Sequence, residues 1–195
     1  DPSAPLELGP LLLETDRADE ALPFLVRARS MHARRSSPEA LRNGVALGAA
    51  SLAKADWTAA EAAFRDTVSA AAGGDGALGA RMGEAASAYL SGDFDRAVSL
   101  ASDAVDAHGA ISELLLMRAL STAASGGVAA EAVRDFRAAA EAAPLDAAPA
   151  LAALAAWLKI LGEDADARKA LDDALDLQPR NFFGRWLRAR WAADS

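Results

Sequence analysis

Acidic side chains at helical spacing are the first residues in this chain whose types and intervals could do chemistry. Asp103 with Asp106, and Asp172 with Asp173 and Asp176, are sets that in other settings hold a metal ion or divide acid and base duties. An exposed, charged helix face accounts for them more simply. The two histidines, His32 and His108, end helical stretches near Arg29 and beside Gly109. A cation suits a helix C-terminus, so both read as capping or surface residues rather than ligands. Gly73-Gly74-Asp75-Gly76 is the nearest approach to a phosphate-cradling loop, but no strand precedes it and it reads as a linker. There is no HExxH pair, no Ser in a strand-to-helix elbow and no Cys of any kind. The inventory predicts no catalytic residue, no metal ligand, no cofactor and no enzyme.

The elements that would have to position any site are helices. Of 195 residues, 53 are Ala, whereas Val, Ile and Thr together reach 13. Ala loses no side-chain entropy in a helix, and the β-branched residues that favour sheets are nearly missing. An all-α chain follows. The net charge of −8, with 17 Arg and 3 Lys, argues against nucleic acid, whose phosphates need clustered basic residues. No run approaches the roughly 18 apolar residues of a membrane span. The most apolar window, from Ala147 to Leu161, contains Pro149 and Lys159. The opening Asp1-Pro2-Ser3-Ala4-Pro5 carries neither Met nor a secretory pattern, which suggests an excised domain. The compartment is left open between cytoplasm, which is favoured, and periplasm.

One spacing pattern recurs along the chain. Ala21, Leu25 and Ala28 set a motif of a small residue, a larger or small apolar residue four later, and a small residue three after that. Ala60, Phe64 and Thr67 repeat it, as do Ala97, Ala101 and Ala104, then Ala132, Phe136 and Ala139, then Ala167, Leu171 and Ala174. The leading alanines lie 39, 37, 35 and 35 residues apart, close to the roughly 34-residue period of a helix-turn-helix repeat. Small residues let two helix backbones approach, while Leu25, Phe64, Phe136 and Leu171 fill the gaps between neighbouring pairs. Gly92, Gly126-Gly127 and Gly162 end the first helix of their pairs, and Asp, where present, caps the second. Pro144 and Pro179 stop two of the second helices. Pro10 and Pro23 fall inside the first two helices, which should be kinked or start late. Two inserts, Ala33-Arg34-Arg35-Ser36-Ser37-Pro38 and Ala72-Gly73-Gly74-Asp75-Gly76, lengthen the period and read as spacers.

These features resemble the tetratricopeptide repeat family, with its Leu-Gly-bearing first helix and an A-x3-F second helix ending at Pro. Leu8-Gly9 with Leu12, and Leu47-Gly48, match the first element, and Leu151, Leu154, Ala155 and Leu158 fill the same roles later. Glu84-Ala85 and Ala119-Leu120 depart from it. The resemblance implies a right-handed α-α superhelical solenoid of stacked helix-turn-helix repeats: one domain over 1–195, repeats at 1–37, 38–76, 77–112, 113–145 and 146–179, and a capping helix at 180–193. It also implies a concave groove lined by the first helices, holding a protein or peptide partner. Tracking that face gives Arg42, Val45 and Ala49, then Met82, Ala86 and Tyr89, then Leu114, Met117 and Ser121, then Ala152, Ala156 and Lys159. The groove lacks the basic clamp with which some relatives grip a C-terminal carboxylate, so an amphipathic helix or hydrophobic segment suits it better. The alternative at this stage is that Met82, Met117 and Tyr89 only complete the packing within repeats.

The last helix carries a second surface signal. Residues 163–176 hold six acidic and two basic side chains, whereas residues 180–195 hold four Arg and one Asp. Docking this basic helix on its acidic neighbour is expected to cover Phe183, Trp186 and Leu187 and to leave Arg185 and Arg188 at the edge. Trp191 is left over, as a partly exposed terminus, a dimer contact or a seat for further repeats; capping is the favoured role. With Trp186 it forms the candidate terminal interface. The functional expectation is a non-catalytic protein-interaction scaffold. The alternative is a recruitment or regulatory domain of a larger enzyme or signalling protein.

Overall fold

A computed structural model describes residues 4–32, 37–71 and 77–193. The opening residues Asp1-Pro2-Ser3, insert residues 33–36 and 72–76, and the side chain of His32 lie outside the described residues. Among these residues the regular structure is helical throughout: α1 Ala4–Glu14, α2 Ala18–His32, α3 Pro38–Ala53, α4 Trp57–Ala71, α5 Leu78–Ser91, α6 Phe94–His108, α7 Ser112–Ser125, α8 Ala129–Ala142, α9 Ala148–Ile160, α10 Asp164–Leu177 and α11 Phe182–Ala193. One 3-10 turn, Pro144–Asp146, precedes α9. The helices form two compact units, Asp1–His108 and Gly109–Ser195. In the first, each helix packs on the next in sequence, and α1, α3 and α5 also pack on one another in order. The second repeats the scheme from α7 to α10, with α9 against α7 and with α11 laid on α9 and α10.

The recurring small residues make this packing. All fifteen positions of the five triplets are buried, from Ala21, Leu25 and Ala28 at 0% exposure to Thr67 at 5%. The larger members need room on the facing helix, and glycine supplies it. A Cβ on Gly9 would stand 2.7 Å from Leu25 Cδ2, and a Cβ on Gly48 2.5 Å from the Phe64 ring. Gly83 meets the same ring at 2.3 Å, so Phe64 is seated between α3 and α5 by two missing side chains. Buried hydroxyls at the crossings are satisfied within their own helices. Ser51, Thr67 and Ser87 each donate to the carbonyl four residues earlier, at 2.7 to 3.0 Å.

The turn inside each helix pair is the same object five times. One residue adopts left-handed φ: Asp16 at 58°, Ala55 at 56°, Gly92 at 86°, Gly126 at 73° and Gly162 at 81°. The amide after it then reaches back five residues to a carbonyl. These bonds are Arg17 to Leu12 at 2.9 Å, Asp56 to Ser51 at 3.0 Å, Asp93 to Ala88 at 2.9 Å, Gly127 to Thr122 at 3.0 Å and Glu163 to Leu158 at 2.9 Å. That is a Schellman closure, which satisfies carbonyls orphaned at the helix end. Asp56 and Asp93 then cap the following helices, accepting from the amides of Ala59 at 3.0 Å and Arg96 at 3.3 Å. Asp164 is the first residue of α10 instead, and its carboxylate accepts from Lys159 at 2.8 Å.

Two expectations change. α1 and α2 run through Pro10 and Pro23, and α2 begins five residues before its proline. Each proline removes one main-chain donor from the interior of its helix. At the C-terminus α11 covers Leu187 as expected but not Phe183 or Trp186. Leu187 and Gly184 are buried and Trp191 packs against the core of the second unit, whereas Phe183 stays 42% and Trp186 51% exposed. Residues 184, 187 and 191 share one helical face, and the small Gly184 lets that face close on Leu175.

Candidate peptide-binding groove

α1, α3 and α5 of the first unit enclose an open groove of about 680 Å³. Pro10 and Leu13 come from α1, Pro38, Leu41, Val45, Ala46 and Ala49 from α3, and Gly79 from α5. Only two lining residues are charged, Glu14 and Arg42, both exposed. Sequence produces this shape locally. Ser37 caps α3 by accepting from the Ala40 amide at 3.3 Å, and Pro38 follows where its missing N–H costs nothing. With the helix started there, Leu41, Val45 and Ala49 fall at intervals of four on one face. Val45 also packs on the Phe64 cluster, which anchors the floor. Gly79 keeps one wall low, because a Cβ there would meet only Val45, at 3.7 and 3.8 Å.

Of the residues singled out in the sequence, Arg42, Val45 and Ala49 line this groove together. Met82 and Tyr89 lie half-buried farther along α5, with the Tyr89 ring tilted against Phe94 at 5.4 Å. Met117 and Ser121 belong to α7 and Lys159 to α9, in the second unit. Ser121 has no exposed surface, and its hydroxyl donates to the Met117 carbonyl at 2.8 Å, so it offers nothing to a partner. Lys159 is held by Asp164 at 2.8 Å and stands 5.9 Å over the Trp191 ring. Sequence pattern misses Pro10 and Leu13 as groove residues because Pro10 marks α1 as irregular. Gly79 is hidden next to the Gly-rich insert.

Several other charges join neighbouring helices. Arg118 grips Asp135 with two bonds, 2.6 and 2.9 Å, joining α7 to α8, and Asp135 is 3% exposed. Arg96 on α6 grips Glu61 on α4 in the same way at 3.0 and 2.7 Å, and Arg29 on α2 pairs with Asp66 on α4. Asp103, Asp106, Asp172, Asp173 and Asp176 are exposed on helix faces. Among the described residues no three His, Cys, Asp or Glu side chains converge as a metal site. His108 is half-buried in the last turn of α6, where a cation suits the helix C-terminus. Among the described residues no helix is long and apolar enough to cross a membrane.

No family model matches the chain, and no curated protein matches it in sequence. Solved structures do match it in shape over nearly its whole length. YrrB, described as a TPR protein with an unusual peptide-binding site, superposes with a TM-score of 0.66 at 18% identity, covering 97% of this chain and 92% of that one. TTC0263, a thermophilic TPR protein of Thermus thermophilus, gives 0.74 at 22% identity, with 99% and 98% covered. MamA from Desulfovibrio magneticus gives 0.73 at 14% identity, with 93% and 97% covered. At these identities the likeness carries the fold, and the chain has the all-α solenoid fold of stacked helix-turn-helix repeats found in tetratricopeptide repeat proteins.

Proposed function

We propose that this chain is a non-catalytic interaction scaffold that holds an apolar peptide segment or partner helix in the groove between α1, α3 and α5. The observation that carries this reading is the groove itself: apolar or small side chains from three packed helices, with one cation and one anion at its edges. A volume of about 680 Å³ falls within the range of specific ligand sites. Its walls are helices already fixed by the buried alanine triplets, so docking orders little of the protein and loses little entropy. Apolar partner side chains would displace water from the floor, while Arg42 and Glu14 would orient the partner's polar groups. The peptide-binding description of YrrB supports the same use of the fold.

Gly79→Leu tests the proposal. It narrows the groove from one wall, where a Cβ makes only ordinary contacts, with Val45 at 3.7 and 3.8 Å. Wild-type and variant chains are immobilised and exposed to the same native lysate. The proposal expects proteins retained by the wild type to be lost from the variant while helical circular dichroism and melting stay the same. Identical retention by both chains would refute it.

A further inference from the structure

α11 has two unlike faces. Gly184, Leu187 and Trp191 turn into the second unit. On the other side Phe182, Trp186, Ala189 and Ala193 follow at intervals of four, three and four, and all are exposed, Phe182 at 83% and Trp186 at 51%. This is the seam spacing of paired helices, and it places Arg185 and Arg190 beside the seam, one on each flank. The Phe183 ring stacks on Trp186 at 5.9 Å with an interplanar angle of 12°, which steadies the largest side chain of the seam. Residues 180–195 carry four Arg and one Asp in a chain of net charge −8, and of these Arg188 is paired with Asp172 at 3.2 Å.

We propose that the outer face of α11 docks an acidic amphipathic helix of a partner protein, at a site separate from the groove. Charge decides the occupant. A second copy of α11, parallel or antiparallel, would set arginine against arginine along both flanks, which disfavours self-pairing. A membrane would also attract arginines, but an interfacial helix buries a broad apolar face, and half of α11 is already committed to its own unit. What remains is the seam with the Phe183 ring beside it, a surface that fits a single helix bearing Glu or Asp on its flanks.

The full chain is titrated with a labelled synthetic helix carrying Leu at the seam and Glu beside it, and with a twin carrying Lys for Glu, read by fluorescence anisotropy. The Glu helix is expected to bind about tenfold tighter or better than the Lys helix. Arg185→Glu is expected to narrow or reverse that preference. Trp186→Ser should weaken the Glu helix by about tenfold or more, and Gly79→Leu should leave it unchanged, with equal melting curves throughout. Equal binding of the two helices, or binding untouched by Trp186→Ser, overturns the proposal. So does failure of the Glu helix to bind, whether Trp186→Ser then abolishes adsorption to phosphatidylserine vesicles or dissociates a dimer in sedimentation.

Discussion

At the residue scale, the turns depend on backbone conformations that side-chain chemistry does or does not advertise. Those at Gly92, Gly126 and Gly162 were legible because glycine marks left-handed φ. The equivalent turns at Asp16 and Ala55 were not, because those residues adopt the same φ against their preference. Left-handed backbone costs an L-residue roughly 1 to 2 kcal/mol. Ala55→Gly should therefore raise unfolding free energy by about 1 kcal/mol, and Gly92→Ala should lower it by a similar amount, in urea denaturation. Opposite signs would contradict the turn assignment. Hydrogen bonds to Arg17 and Lys159 hold the Glu20 and Asp164 carboxyls below their usual range. A carboxyl with a depressed folded pKa contributes stability above its unfolded value, 3.8 for Asp164, and loses it as pH falls through the lower folded value. Both groups are exposed, so the effect is small. Between about pH 5 and pH 2 the denaturation midpoint should fall less steeply in Asp164→Asn than in the wild type. Parallel pH profiles would count against that pairing.

At the element scale, the alanine triplets were legible because their interval is long and regular, and each triplet is buried. The partners of those triplets were harder to read. Nothing in local sequence shows that Phe64 sits against both Gly48 and Gly83, since that contact joins three helices. Alanine at either glycine gains up to about 1 kcal/mol of helix propensity, yet a Cβ 2.3 to 2.5 Å from a rigid ring forces repacking that costs roughly 1 to 3 kcal/mol. The clash wins, so Gly83→Ala should destabilise. Adding Phe64→Leu should recover part of the loss, and additive effects in that double-mutant cycle would contradict the seating of Phe64. The Asp135–Arg118 pair joins two helices across 17 residues, a contact that no local spacing marks. Asp135→Ala removes the carboxylate that accepts two bonds from Arg118 and should cost about 1.5 to 3 kcal/mol by calorimetry. A change below about 1 kcal/mol would mean that water replaces the carboxylate.

At the scale of the whole molecule, size recurring at a fixed interval made the fold class readable, while the site was only partly so. The groove depends on α1, whose course through Pro10 helical pattern alone did not reveal, and on Gly79, which acts by what it lacks. Likewise the amphipathic pattern of α11 was seen, but not which of its two apolar faces lies inward, because Gly184 chooses the face by letting Leu175 approach. Each unit holds its own core, so Leu25→Asp in the first and Ala132→Trp in the second should each cost roughly 2 to 4 kcal/mol, the one by a buried charge and the other by overpacking. The most direct test of the central claim is calorimetric titration of a peptide selected for binding on a Trp186→Ser chain, so that α11 does not contribute. Against Gly79→Leu the account predicts affinity at least about tenfold weaker than for the parent, at unchanged melting temperature. Equal affinity for the two chains would contradict it.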